Sequence, residues 1–358
     1  MIKRIKMKDS WANENLFVVE DLKNVTTDKV IPWEKLNNKS VLVTGATGLI
    51  GSLVVKSLLY FADANGKNIT VGAFIRNADK ADSVLGNLKA DHSNLFYEIG
   101  DLSKEFNLSK KYDYIIHAAS ATGSKDFIEK PVETILTTVE STKNFLKYAY
   151  ENKIDSMVYI SSMEVYGEIP HETVKEEDFG LLNWMNLRSS YPQSKRLAET
   201  LCISYSSEYN VPVKIIRPTL TFGPGVSKED NRVFAQFARA VINKTDITLL
   251  TKGGTKRDYL HTADAVKGIL SILLLGKNGE AYNLSNQNSY CTIYEMAQMC
   301  CSLAGNEILV KFDLDPEKSK CYPKEQKIQL DNSKYLALNN SPKTSIQDIY
   351  LKLISYLK

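Results

Sequence analysis

The sequence predicts an α/β fold: a doubly wound parallel sheet with a smaller mixed substrate-binding C-terminal part. Three observations carry this expectation. Short Val- and Ile-rich runs alternate with helix-length segments from Val41 onward, as in a parallel sheet covered on both faces. The first run leads directly into the glycine-rich turn Thr44-Gly45-Ala46-Thr47-Gly48-Leu49-Ile50-Gly51. Beyond Arg217-Pro218 the alternation loosens into turn signals and short helices.

Taken in order, Val41-Leu42-Val43 reads as a buried strand, and the turn hands it to a helix through Leu49, Ile50, Leu53, Val54 and Leu58. Ile69 to Ile75, Leu95 to Ile99 and Tyr114-Ile115-Ile116 are the second, third and fourth strands. Val132, Ile135, Leu136, Val139, Phe145, Leu146 and Ala149 recur at helical spacing. Met157 to Ile160 and Val213 to Ile216 are the fifth and sixth strands of this Rossmann-type sheet. Further on, Gly223-Pro224-Gly225 and Gly253-Gly254 mark turns, and Val233 to Ile242 and Ala263 to Leu275 read as helices. The expected organisation is an N-terminal arm over 1–38, a dinucleotide-binding domain over 39–218, and a mainly substrate-binding part over 219–358 interleaved with it. The arm carries isolated apolar anchors, Trp11, Leu16-Phe17-Val18-Val19 and Trp33. These suit a segment packed on the domain surface, an oligomer contact or a lid over the nucleotide.

The composition narrows the function. The chain has 358 residues, enough to bury a substantial core, with 43% apolar and 24% charged residues and a net charge of +3. So small a net charge with dispersed lysines suggests neither nucleic acid nor a membrane surface as partner. Five cysteines (Cys202, Cys291, Cys300, Cys301, Cys321) without a CxxC pair, and four scattered histidines, give neither a disulfide framework nor a metal site. The basic start, Met1 to Lys6, is followed by polar and acidic residues rather than a signal-peptide core. No apolar run approaches the roughly 18 residues that span a bilayer, so a cytoplasmic protein is expected.

The turn has the chemistry of a dinucleotide cradle. Gly45, Gly48 and Gly51 would permit the tight turn, the approach of backbone to a pyrophosphate, and close helix–strand contact. Thr47, Leu49 and Ile50 complete the loop, whose helix N-terminus offers free N–H groups to phosphate. Asp101, followed by Leu102, could accept a hydrogen bond from an adenine amino group or serve as a cap or turn residue. His117-Ala118-Ala119-Ser120 ends the fourth strand with small residues that leave room for ribose and nicotinamide. At the end of strand two, Ile75 occupies the slot where a carboxylate would select NAD. Arg76 could contact the 2′-phosphate of NADP or be solvated, which leaves NAD and NADP both open.

Tyr191-Pro192-Gln193-Ser194-Lys195 places a phenol and an ammonium one helical turn apart on one face. A tyrosine titrates near pH 10, so acting as a base near neutrality requires lowering it by about three units, roughly 4 kcal/mol. Lys195 and the positive nicotinamide ring are expected to do so. Pro192 is tolerated in the first turn. Ser162, at the end of strand five, is chosen over Ser161 to hold the substrate oxygen beside Tyr191.

With these motifs in place, the chain resembles the extended short-chain dehydrogenase/reductases that act on nucleotide sugars, the NAD-dependent epimerase/dehydratase family. The resemblance rests on TGATGLIG, HAAS, SSMEVYG, YPQSK, RPTLTFGPG and KRDYLHTADAV, and runs from Val41 into the C-terminal part. In relatives the hydroxyl lies four residues before the tyrosine of the VYG segment, which again selects Ser162. The nearest likeness is to UDP-glucuronate decarboxylases, which, like GDP-mannose 4,6-dehydratases, keep a glutamate at Glu164 without the Asp that deoxythymidine-diphosphate-glucose 4,6-dehydratases place before it; here that neighbour is Met163. The stretch from Glu177 to Tyr191 and the run Lys256 to Tyr259 share that likeness. The resemblance thus implies Ser162, Glu164, Arg188, Thr221 and Arg257 as substrate-binding residues. It implies Ser162, Tyr191, Lys195 and Glu164 as catalytic, no metal, and a homodimer formed through two helices per subunit, the helix from Pro131 to Tyr150 being a candidate. Leu220 and Thr138 replace asparagines frequent in these enzymes, and Ile75-Arg76 replaces their usual acid.

Oxidation of a sugar C4 hydroxyl by a bound, recycled cofactor, followed by decarboxylation, epimerisation or dehydration, is the first expectation. Its alternatives are an NADPH-dependent reductase or dehydrogenase of an activated sugar or polyol, favoured by Arg76, and a non-catalytic cofactor sensor.

Overall fold

The structure, a computed structural model, describes residues 8–120, 123–315 and 325–358. Its largest element is a seven-stranded, all-parallel sheet in the order β11-β7-β5-β4-β1-β2-β3. These strands are β1 (Lys39–Thr44), β2 (Ile69–Ile75), β3 (Leu95–Ile99), β4 (Tyr114–His117), β5 (Ser156–Ile160), β7 (Val213–Pro218) and β11 (Ala281–Leu284). The chain winds outward from β1 in both directions, so the switch point falls between β1 and β4, where open α/β sheets bind ligands. The strands are apolar throughout because helices cover both faces; all five residues of β5 are buried.

One face carries α2 (Leu16–Thr26), α3 (Leu49–Asn65), α4 (Ala78–Asp91) and α9 (Thr262–Leu275), which enclose the largest apolar core with α1 (Asp9–Ala12). The other carries α6 (Pro131–Asn152) and α7 (Ser190–Tyr209), packed on a second core that includes Phe145, Met157 and Cys202. Pro131 occupies the first turn of α6, where it costs no hydrogen bond, and α5 (Ser124–Glu129) precedes it.

The N-terminal segment is an integral part of this body. Trp11 meets the Tyr60 ring edge-on at 5.1 Å and donates to Asp63 Oδ2 at 2.8 Å. Trp33 stacks on Phe61 at 4.3 Å, and Leu22, Val25 and Leu36 are fully buried.

A second sheet joins β12 (Asn286–Thr292), β10 (Lys256–His261), β14 (Lys327–Leu330) and β6 (Thr173–Val174), with β8 (Leu220–Phe222) pairing β10. Around it lie β9 (Ile247–Leu249), paired with β13 (Val310–Phe312), and α8 (Val233–Asn243), α10 (Ile293–Leu303), α11 (Ser333–Leu336) and α12 (Ile346–Leu357). The two parts interleave: β6 comes from the first half of the chain, and β11 returns from the second half to edge the large sheet. Asn283 on β11 accepts from Tyr166 Oη at 2.6 Å and donates to the carbonyls of Val174 and Asp331, tying the sheets together beside the site. Among the described residues no helix is long and apolar enough to cross a membrane, and no three acidic, His or Cys side chains cluster as metal ligands. Cys321 lies outside the described residues.

Candidate active site

The glycine turn forms the floor of the cleft at the switch point. Gly45 has φ +65°, and a Cβ there would fall 3.0 Å from the backbone of Ala118 and Ala119. A Cβ on Gly51 would sit 2.2 Å from the Gly45 carbonyl, so this position also requires glycine. α3 begins after Gly48 with no side-chain cap, so the first N–H groups of Leu49 and Ile50 have no partner within the helix. This residue set fits a dinucleotide: close backbone approach, an uncapped helix N-terminus, and the small residues Ala118, Ala119 and Ser120 opposite. Ala119 N–H is already taken by Thr44 Oγ1 at 3.0 Å. The same hydroxyl lies 2.8 Å from His117 Nδ1, whose other ring nitrogen is 3.2 Å from Ser141 Oγ. Burial pushes His117 down to about 3, and the imidazole is a neutral strut beneath the cleft. Behind Thr47, Gly48 and Leu49 a cavity of about 470 Å³ runs between α3, α4 and the N-terminal segment; Ser162, Tyr191 and Lys195 do not line it.

At the end of β5 the chain turns through a short 3₁₀ segment, Met163–Tyr166, capped by Ser162, whose Oγ accepts from Glu164 N at 3.2 Å. Tyr191 is the second residue of α7, buried, with the Ser162 hydroxyl near enough to its phenol to favour the phenolate. Ser161 is also buried, but its hydroxyl has no partner, and it is Ser162 that meets the phenol. Lys195, one turn on, donates to the Ile160 carbonyl at 2.7 Å. Its Nζ lies 4.8 Å from the Tyr159 ring centre and 5.9 Å from that of Tyr191.

Without a cofactor the phenol lies in a different electrostatic setting from the one expected with the nicotinamide bound. In the chain by itself the Tyr191 phenol is pushed up, not down: burial dominates and the Glu164 charge adds to it, while the Ser162 hydrogen bond and Arg188 oppose. Lys195 does not counter this, because burial pushes its own ammonium down to about 7. A loosened phenolate therefore requires charge that the protein alone does not place beside Tyr191.

Glu164 and Arg188 meet as a bidentate pair, with contacts of 2.8 and 3.0 Å. The sequence assigned both to the substrate site, and the structure brings them together beside Tyr191. Phe127, absent from the sequence reading, joins them: its ring stacks on Tyr191 at 4.3 Å and 8°, and the Arg188 guanidinium lies 4.9 Å from its centre. A lone aromatic in a short helix gave no signal. Another unforeseen pair, Arg217–Glu199 at 2.6 Å, braces the back of α7, with Arg217 also donating to Tyr166 Oη at 2.9 Å.

The remaining candidates stand further out. Ile75 is buried and Arg76 exposed at the end of β2. Asp101 acts as a turn residue: its Oδ1 accepts from Ser103 N at 3.0 Å and Ser103 Oγ at 2.8 Å, holding the carboxyl below its usual range. Leu102 packs on the α6–α7 core. Met163, where deoxythymidine-diphosphate-glucose 4,6-dehydratases carry an acid, is buried, with Thr219 Oγ1 3.4 Å from its sulfur. Thr221 Oγ1 donates to the Thr219 carbonyl at 3.0 Å, which commits its proton to its own strand. Arg257 is half-buried on β10, opposite Cys291 and Ile328, without an ion pair among the described residues.

Residues 41–285 match the NAD dependent epimerase/dehydratase family. The chain belongs to that family. It is therefore an enzyme of the extended short-chain dehydrogenase/reductase type, with a nicotinamide cofactor. UDP-glucuronic acid decarboxylase 1 of Xenopus tropicalis is 25% identical over 346 residues, covering 95% of this chain and 78% of that protein. UDP-glucuronic acid decarboxylase 6 of Arabidopsis thaliana is 27% identical over 316 residues, covering 87% of each. Among solved structures, UDP-glucuronic acid 4-epimerase from Bacillus cereus, in complex with UDP-glucuronic acid and NAD, superposes with a TM-score of 0.73. It is 24% identical, over 89% of this chain and 98% of that one, and shares the fold.

Proposed function

We propose that this family member oxidises the C4 hydroxyl of a nucleotide sugar and then decarboxylates a UDP-glucuronate-like substrate. The observation that carries this reading is the grouping of Ser162, Glu164, Arg188 and Tyr191 beyond the end of β5, with Met163 where deoxythymidine-diphosphate-glucose 4,6-dehydratases carry an acid. The naming of similar proteins as UDP-glucuronic acid decarboxylases supports it.

Gly45, Thr47, Gly48, Leu49, Ile50 and Gly51 would hold the cofactor pyrophosphate, with Ala118, Ala119 and Ser120 along its ribose. Bound there, the nicotinamide supplies a reversible hydride acceptor. Ser162 positions the C4 oxygen, and Tyr191 takes the hydroxyl proton. Oxidation at C4 makes the sugar a β-keto acid, from which a C5 carboxylate leaves as carbon dioxide while its bonding electrons pass toward the ketone. Glu164 positions the sugar or assists as base. Arg257 offers a bidentate donor to phosphate or carboxylate. Lys195 anchors α7 to the end of β5 and orients the helix that presents Tyr191. Thr221 lines the substrate side.

Arg76, exposed at the end of β2 where a ribose-binding acid is missing, favours a second reading: an NADP-linked reductase or dehydrogenase of an activated sugar. Mass spectrometry of UDP-glucuronate incubated with the protein and either NAD or NADP separates the two. A product lighter by carbon dioxide, with no net cofactor turnover, supports decarboxylation. Stoichiometric cofactor consumption supports the reductase, and an unconverted substrate sinks the decarboxylase. The same reading carries a homodimer through α6 and α7, where Val132, Leu136 and Leu197 stand exposed; sedimentation of the purified protein as a monomer would remove it.

A further inference from the structure

We infer that Phe127 is a positioning residue of this active site, whose ring fixes the Tyr191 ring and the Arg188 guanidinium together. The inference rests on the reading of Tyr191 as the proton-transfer group. Phe127 is buried; its ring stacks on Tyr191, and the Arg188 guanidinium lies over its face. Those two residues are three apart, Arg188 in the 3₁₀ turn Leu187–Ser189 and Tyr191 in the first turn of α7, so they present neighbouring side chains to one ring. The ring plane of Tyr191 sets where its Oη lies relative to Ser162, and a stack at 8° fixes that plane. Through Arg188 the same ring adjoins the bidentate Glu164 pair, so the phenol, the hydroxyl and the carboxylate are held as one unit. α5 is only six residues long and cannot hold its place alone. Ser190 Oγ secures it by donating to the Phe127 carbonyl at 2.9 Å, one residue before Tyr191.

The test compares Phe127→Leu and Phe127→Tyr in the full chain by kinetics and by NMR of ¹³C-labelled tyrosine, the Tyr191 signal being identified by its loss in Tyr191→Phe. Phe127→Leu is expected to lower kcat by on the order of 10- to 100-fold with little change in KM, because Oη is misplaced. It should also move the acidic limb of the pH profile to lower pH as water reaches the phenol. Phe127→Tyr, which keeps the ring, is expected to restore both. Activity of Phe127→Leu within twofold of the parent overturns the inference, as does a loss of rate with an unmoved pH limb. If Phe127→Leu fails to fold, Phe127→Met, closer in volume, is read in the same way. The NMR arm stands apart from any substrate: Tyr191 ring signals in the Leu variant that keep their parent shifts overturn the positioning claim even if no nucleotide sugar is turned over. A shifted Tyr191 signal in a chain inactive on every nucleotide sugar would count against the functional reading alone.

Discussion

Tyr191 is poised against its own ionisation in the protein alone, and Glu164 is part of the reason. Burial and the Glu164 charge raise the phenol; Ser162 and Arg188 pull it down. Replacing Glu164 by Gln removes a negative charge and leaves Arg188 without its bidentate partner, and both changes favour the phenolate. The acidic limb of kcat/KM, which follows Tyr191 ionisation, is therefore expected to move to lower pH in Glu164→Gln, by about one unit or less. A limb that stays in place or moves upward would show that Glu164 does not act on Tyr191 through its charge. Local spacing marked Tyr191 and Lys195, and the end of strand five together with the family resemblance marked Ser162. The Glu164–Arg188 pairing is one of positions 24 residues apart, brought together by the turn after β5 and the start of α7, so neither side chain announces the other.

At the scale of elements, the N-terminal helix α2 is tied to the rest of the molecule by a buried carboxylate. Asp21 is fully buried; Lys352 on α12 reaches its Oδ1 at 2.8 Å, and His261, at the end of β10, lies 3.2 Å from its Oδ2. Three distant parts of the chain thus meet at one buried carboxylate, whose charge Lys352 opposes. Asp21→Asn removes the charge and leaves Lys352 partly buried with only the exposed Glu20 at 2.9 Å, so a loss of about 3 kcal/mol is expected in urea unfolding. Removing Lys67, paired with the exposed Glu34, should cost less than about 1 kcal/mol. Equal losses in the two variants would contradict a structural role for the Asp21 contact. The parallel strands were legible because their Val and Ile runs are buried on both faces, and β2 and β3 begin and end where the pattern predicts. β6 and β8, two and three residues long, were not legible, since pairing with distant strands creates them and no local period can form over so few positions.

The two larger sheets share one seam, and the candidate site lies near it. The large sheet carries the glycine turn and the end of β5, while Thr221 and Arg257, given to the substrate under the proposed function, lie on β8 and β10 of the second sheet. Asn283, which accepts from Tyr166, joins the two parts by donating to the Val174 and Asp331 carbonyls. The site therefore depends on both halves of the chain, although the motifs for cofactor and proton transfer fall in the first half. In the proposed reaction a hydride leaves the sugar C4 and returns to the same molecule. Turnover of UDP-glucuronate deuterated at C4 tests this. The expected product is lighter by carbon dioxide and retains the deuterium at C4, with no net nicotinamide reduction. Stoichiometric transfer of deuterium to the cofactor pool, or turnover that never touches the C4 bond, would contradict it.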